Sequence, residues 1–72
     1  MKVGVPKEIK NHEYRVGLVP ASVRELAQRG HEVYVQSTAG QGIGVDDREY
    51  EAAGASILPD AESVFATAEM IV

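Results

Sequence analysis

Between Lys7 and Arg15 the chain sets five charged side chains and a histidine within nine residues: Lys7, Glu8, Lys10, His12, Glu13 and Arg15. No other stretch concentrates functional groups so tightly. A guanidinium pairs bidentately with a carboxylate, fixing orientation as well as supplying affinity, which makes Arg15 the sharpest candidate for holding a small carboxylic acid. An internal bridge to Glu8 or Glu13 would use the same group, and charge alone leaves both uses open. Lys7 and Lys10 can add positive field, although exposed lysines are as a rule simply solvated. His12 has the chemistry of a general base. With no acid or nucleophile beside it, the plainer reading is an exposed loop histidine. Tyr14 and Tyr50 read as packing residues.

The charge balance supports an anion at this loop. The chain carries a net charge of −4, with +2 on residues 1–15 and −6 on the remainder. An acidic chain with a locally positive loop suits a small anion such as a carboxylate. It lacks the basic footprint of a nucleic-acid partner. The absence of cysteine removes disulfides, thiol catalysis and thiolate metal sites. His12 and His31 are too far apart for the usual zinc spacing, so no metal site is expected. Neither an apolar leader nor a membrane-spanning run is present, and a soluble cytoplasmic chain without a membrane partner is expected.

The elements that must position the loop are well punctuated. Lys2 to Val5 reads as a strand buried on both faces, stopped by Pro6. Val16 to Val19 reads as an extended lead-in to a helix that begins at Pro20. Val23, Leu26 and Ala27 form its apolar stripe, Arg24, Glu25, Gln28 and Arg29 its wet side, and Gly30 its left-handed end. His31 to Gln36 reads as a second strand. Strand, helix and strand at this length make a βαβ unit with parallel strands. Asp46 caps a second helix, with Glu49 at N3 and with Val45 and Tyr50 placed as a hydrophobic staple; Gly54 closes it. Ser56 to Leu58 gives a third strand. Asp60 caps a third helix marked by Ala61, Val64, Phe65 and Ala68. Met70 to Val72 reads as a fourth strand. The expected fold is a three-layer α/β arrangement, Rossmann-like or flavodoxin-like, with a parallel sheet of βαβ units. A chain of 72 residues that stops inside an apolar strand is expected to be the front piece of something longer.

Gly40-Gln41-Gly42-Ile43-Gly44 is a tempting dinucleotide motif. The fingerprint G-x-G-x-x-G needs its third glycine at 45, which is Val45, and the acid some twenty residues on is missing. A flexible loop that supplies tight turns is the better reading.

With the loop and its flanks in view, the chain resembles the alanine dehydrogenase and nicotinamide nucleotide transhydrogenase family. The residues that carry the resemblance are Gly4-Val5-Pro6-Lys7-Glu8, Glu13-Tyr14-Arg15-Val16, Pro20 and Val23, Arg29-Gly30-His31-Glu32-Val33, Ala39-Gly40-Gln41-Gly42 and Ala52-Ala53-Gly54-Ala55. The resemblance covers essentially the whole chain. Pro6 to Asn11 and Ala68 to Val72 look closer to the dehydrogenase branch than to the transhydrogenase α subunit.

The resemblance implies that residues 1–72 are the N-terminal part of a substrate-binding domain, with no NAD-binding domain within the chain. It implies NAD-linked oxidative deamination of L-alanine to pyruvate and ammonium, with NAD bound by a domain outside this chain. Arg15 would hold the substrate carboxylate, whereas the catalytic lysine and histidine would come from later sequence. It also implies a full-length homohexamer. The chain alone is expected to be inactive. Three departures from the family pattern stand out: His12 for Asn, Gly17 for Ala, and Val19 for the Thr that would cap the first helix. Two other readings are the same segment of a transhydrogenase α subunit and a non-catalytic α/β binding module.

Overall fold

The computed structural model describes the backbone of residues 1–10, 13–15 and 18–72, and the side chains of residues 1–7 and 18–72. In chain order the elements are β1 (Lys2–Val5), β2 (Glu8–Lys10), β3 (Glu13–Arg15), α1 (Pro20–Gln28), β4 (Glu32–Gln36), a 3₁₀ turn (Gln41–Ile43), α2 (Asp47–Ala53), β5 (Ser56–Leu58), α3 (Ala61–Thr67) and β6 (Met70–Ile71).

Four strands form one sheet in the order β5-β4-β1-β6, every pair parallel. Val3 lies beside Val33 and Val5 beside Val35. Because side chains alternate across a strand, these four valines share one face. There they are buried with Val23 of α1 and with Tyr50 and Ala53 of α2. Gly4, on the opposite face, meets α3. A Cβ at Gly4 would lie 2.5 Å from the Ala68 Cβ and 2.9 Å from Val64 Cγ1, so the missing side chain is what lets that helix approach β1. Helices thus cover both faces, as the three-layer reading requires. The crossover through α1 runs from β1 to β4, and the one through α3 runs back past β1 to β6. With opposite directions of travel, right-handed crossovers put the two helices on opposite faces.

The helix ends follow from local chemistry. Val19 offers no side-chain cap to α1, and Pro20 occupies the first turn. At the other end Gly30 (φ +88°) lets its own N–H reach the Ala27 carbonyl and the His31 N–H reach that of Leu26, the paired bonds of a Schellman motif. Asp46 and Asp60 each accept a bond from the N–H three residues on, Glu49 at 3.0 Å and Ser63 at 2.7 Å. Val45 and Tyr50 both pack into the core cluster, consistent with the staple.

Three expectations change. The stretch Lys7 to Arg15 is not simply a loop: β2 and β3 pair antiparallel as a short hairpin, with Glu8 opposite Arg15 and Lys10 opposite Glu13. Main-chain pairing organises a segment whose side chains give no strand period. Phe65 does not join the buried stripe of α3. Val64 takes the position against the sheet, and Phe65, about 100° further round the helix, is 57% exposed. The last strand is Met70–Ile71, on the far side of β1 from β4. Val16, Gly17 and His12 lie outside the described residues.

Candidate functional site

The strand order reverses at β1: the chain leaves it towards β4 and returns to its other side as β6. In open α/β sheets, ligands bind outside the carboxyl ends of the strands at such a switch point. The hairpin β2–β3 grows directly from the carboxyl end of β1, with only Pro6 and Lys7 between. Topology therefore brings the charged segment to the place where this class of sheet binds its ligand.

The backbone of Arg15 lies at the end of β3, with Glu8 as its cross-strand partner. β3 also runs beside the 3₁₀ turn Gln41–Ile43, so the hairpin and the glycine-rich loop, far apart in sequence, form one cluster. The side chains of Lys10 and Arg15 and the whole of His12 lie outside the described residues.

Lys7, at the root of the hairpin, is described in full. Its backbone N–H donates to Gln36 Oε1 at 2.8 Å, and its ammonium Nζ donates to Thr38 Oγ1 at 3.3 Å. Both partners stand at the carboxyl end of the adjacent strand β4. Thr38 is held in turn by Asp47. One carboxylate oxygen accepts the Thr38 N–H at 2.8 Å, and the other accepts the Ser37 hydroxyl at 2.9 Å. Nothing in the local sequence marks Gln36 or Thr38 for a role. Side-chain bonds between separate loops leave no periodic signal.

The glycine-rich loop is an internal turn. A Cβ at Gly40 would sit 2.8 Å from both Tyr50 Cε2 and the Val45 carbonyl oxygen, so the space the glycine leaves is filled by the protein itself. The Glu49 N–H in the first turn of α2 already donates to the Asp46 carboxylate, with Asp47 next to it. These residues do not fit a pyrophosphate, which needs an open glycine turn and uncapped N–H groups. An open cleft of about 430 Å³ beside the loop is lined by Thr38, Gln41, Asp46, Asp47 and Arg48. Asp46 and Asp47 against the single Arg48 make this cleft net acidic, which suits an anion poorly. Among the described residues no group of three or more acidic or histidine side chains is placed to hold a metal ion, and no helix is long and apolar enough to cross a membrane.

A parallel sheet with helices on both faces and a charged hairpin at its switch point defines part of an open α/β domain. Residues 4–72 match the family model described as alanine dehydrogenase/PNT, N-terminal domain, and the chain belongs to that family. It is 55% identical to an alanine dehydrogenase of Halomonas elongata over 71 residues, which is 99% of this chain and 19% of the relative. A Mycolicibacterium smegmatis alanine dehydrogenase is 52% identical, also over 99% of this chain and 19% of its own length. Among solved structures, an L-alanine dehydrogenase superposes with a TM-score of 0.94 at 50% identity, over 100% of this chain and 20% of that one. A transhydrogenase from Sinorhizobium meliloti gives 0.89 at 35%, with the same coverages. The chain thus spans about a fifth of the length of the relatives it matches. The dehydrogenase branch is the nearer of the two in both sequence and shape.

Proposed function

We propose that this chain is the N-terminal segment of the substrate-binding domain of an NAD-dependent L-alanine dehydrogenase. The reaction converts L-alanine, water and NAD⁺ to pyruvate, ammonium, NADH and a proton, and runs in both directions. The observation that carries the reading is the closer match to alanine dehydrogenases, 50% identity and TM-score 0.94 against 35% and 0.89 for the transhydrogenase.

In this reading the hairpin supplies one function, recognition of the carboxylate. Arg15 pairs with the carboxylate common to alanine and pyruvate, which fixes the orientation of the reacting carbon. Lys7, anchored at the root of the hairpin, adds positive field. NAD, when bound, supplies the acceptor for the hydride of the substrate. The groups that move protons come from sequence outside this chain, as does the NAD site. The full-length enzyme is cytoplasmic and assembles as a homohexamer in this proposal.

The test is the Arg15→Ala variant of the full-length enzyme. Loss of a charge-assisted pair costs about 1.5–3 kcal/mol, so the KM for pyruvate should rise at least tenfold, with the KM for NADH little changed. An unchanged pyruvate KM sinks the carboxylate role. The transhydrogenase alternative rests on the second structural likeness. It is decided by whether the full-length protein oxidises L-alanine.

A further inference from the structure

We propose that Gln36, Thr38 and Asp47 form a latch that sets the position of Arg15, making them positioning residues for recognition of the carboxylate. The inference rests on the reading of Arg15 given above and extends it to residues that touch no substrate.

Thr38 holds a backbone conformation that threonine rarely adopts. The carbonyl of Gln36 accepts the N–H of Ala39 at 3.0 Å, closing a turn in which Thr38, the third residue, has φ +66°. Glycine ordinarily fills that position, because a β-branched residue at positive φ is strained. Residues held so persist where the surroundings over-determine them, and they cluster at functional sites. Here the surroundings are explicit. Asp47 holds the turn with both carboxylate oxygens, one on the Thr38 N–H and one on the Ser37 hydroxyl.

The strain has a counterpart across the loop. A threonine at this point presents a hydroxyl to the Lys7 ammonium, which glycine could not. The side-chain oxygen of Gln36 meanwhile takes the Lys7 N–H at the point where Pro6 has ended the β1 ladder. Lys7 is therefore fixed at both its backbone and its side chain. The next residue is Glu8, the cross-strand partner of Arg15. The other strand of the hairpin, β3, lies beside the 3₁₀ turn that begins three residues after Thr38. One loop thus braces both strands of the hairpin. Asp47, two elements away in sequence, holds that loop.

The experiment uses the full-length enzyme and three readouts: the KM for pyruvate, the KM for NADH and the melting temperature. Thr38→Gly removes the hydroxyl and at the same time relieves the positive φ. The latch requires the pyruvate KM to rise about three- to tenfold, the ratio that loss of one hydrogen bond gives, with the NADH KM unchanged and no fall in Tm. Thr38→Ser, which keeps the hydroxyl, should restore the native KM. Lys7→Met breaks the contact from its other end, and its effect should be less than additive with Thr38→Gly. A pyruvate KM within twofold of native in Thr38→Gly overturns the latch, as do equal effects of Gly and Ser or full additivity with Lys7→Met. Arg15→Ala keeps the two claims distinguishable. If it raises the pyruvate KM while Thr38→Gly does not, only the latch falls. If neither variant moves it, both do.

Discussion

The hydroxyl of Tyr50 donates to the main-chain carbonyl of Leu18 at 2.8 Å, from a side chain with no exposed surface. Leu18 belongs to the segment that leads from the hairpin to α1, and Tyr50 to α2. One buried bond therefore ties the return of the charged hairpin to the helix that also carries Asp47. It further satisfies a carbonyl that lies just before the first turn of α1.

Tyr50→Phe keeps the ring and deletes this bond. The Leu18 carbonyl is left without its partner, at a cost of about 1–3 kcal/mol. The expected result is a lower melting temperature and faster amide exchange at the start of α1 and through α2. The effect is also pH-dependent. Burial, with the neighbouring Glu49 carboxylate adding to it, raises the phenol above its ordinary value. A raised pKa in the folded state gives stability that is fully present below about pH 10 and is lost as pH rises through the folded value. The stability gap between the native protein and Tyr50→Phe should therefore narrow above that pH. A gap that widens would contradict the assignment.

Asp60 behaves in the opposite sense. The Ser63 backbone N–H first, and the Ser63 hydroxyl second, hold its carboxyl below the ordinary carboxylate range. A lowered folded-state pKa gives stability that is present above about pH 4 and is lost as pH falls through the folded value. Asp60→Ala should fray α3 at neutral pH, seen as loss of amide protection near Ser63 and Val64. Asp60→Asn keeps a neutral oxygen acceptor, so α3 in that variant should respond less to acid. Equal acid sensitivity in the native protein and Asp60→Asn would remove the cap from the account.

Two glycine substitutions separate packing from backbone strain. Gly40 has φ −89°, open to any residue, yet an added Cβ would lie 2.8 Å from Tyr50 Cε2 and from the Val45 carbonyl oxygen. Gly40→Ala should cost about 1–3 kcal/mol through overpacking. Gly30 has φ +88° and nothing within 4 Å of its missing Cβ. Gly30→Ala should cost about 1–2 kcal/mol through strain alone. Asparagine, which tolerates the left-handed region, should recover part of the loss at Gly30. At Gly40 it should be worse than alanine. Thermal unfolding of the four variants decides the matter.

Hydrophobic period and punctuation carried most of the fold. Pro20, Gly30, Asp46, Gly54 and Asp60 mark helix ends through bonds that span six residues or fewer, so the sequence states them directly. The valines at 3, 5, 33 and 35 and the βαβ spacing imposed parallel pairing of β1 with β4. Arg15 emerged as the candidate for the carboxylate because only a guanidinium offers a planar pair of donors in that segment.

Tertiary structure decided what depends on distant pairings. Glu8 to Arg15 alternates no apolar face, and its charged residues are weak strand formers, so the hairpin is visible only once β2 and β3 are paired. The return of β6 to the far side of β1, which creates the switch point, depends on the hand of the crossover through α3, which packs on the face that Gly4 leaves clear. Local sequence likewise gives no reason for Phe65 to stay at the surface while Val64 meets the sheet. The contact of Lys7 with Thr38, and the grip of Asp47 on the turn that holds it, join three segments that touch only when the sheet has formed. Composition and spacing fixed which groups could bind a carboxylate. The folded sheet alone fixed where the backbone of those residues stands, because contacts between loops follow from strand order, which no local propensity encodes.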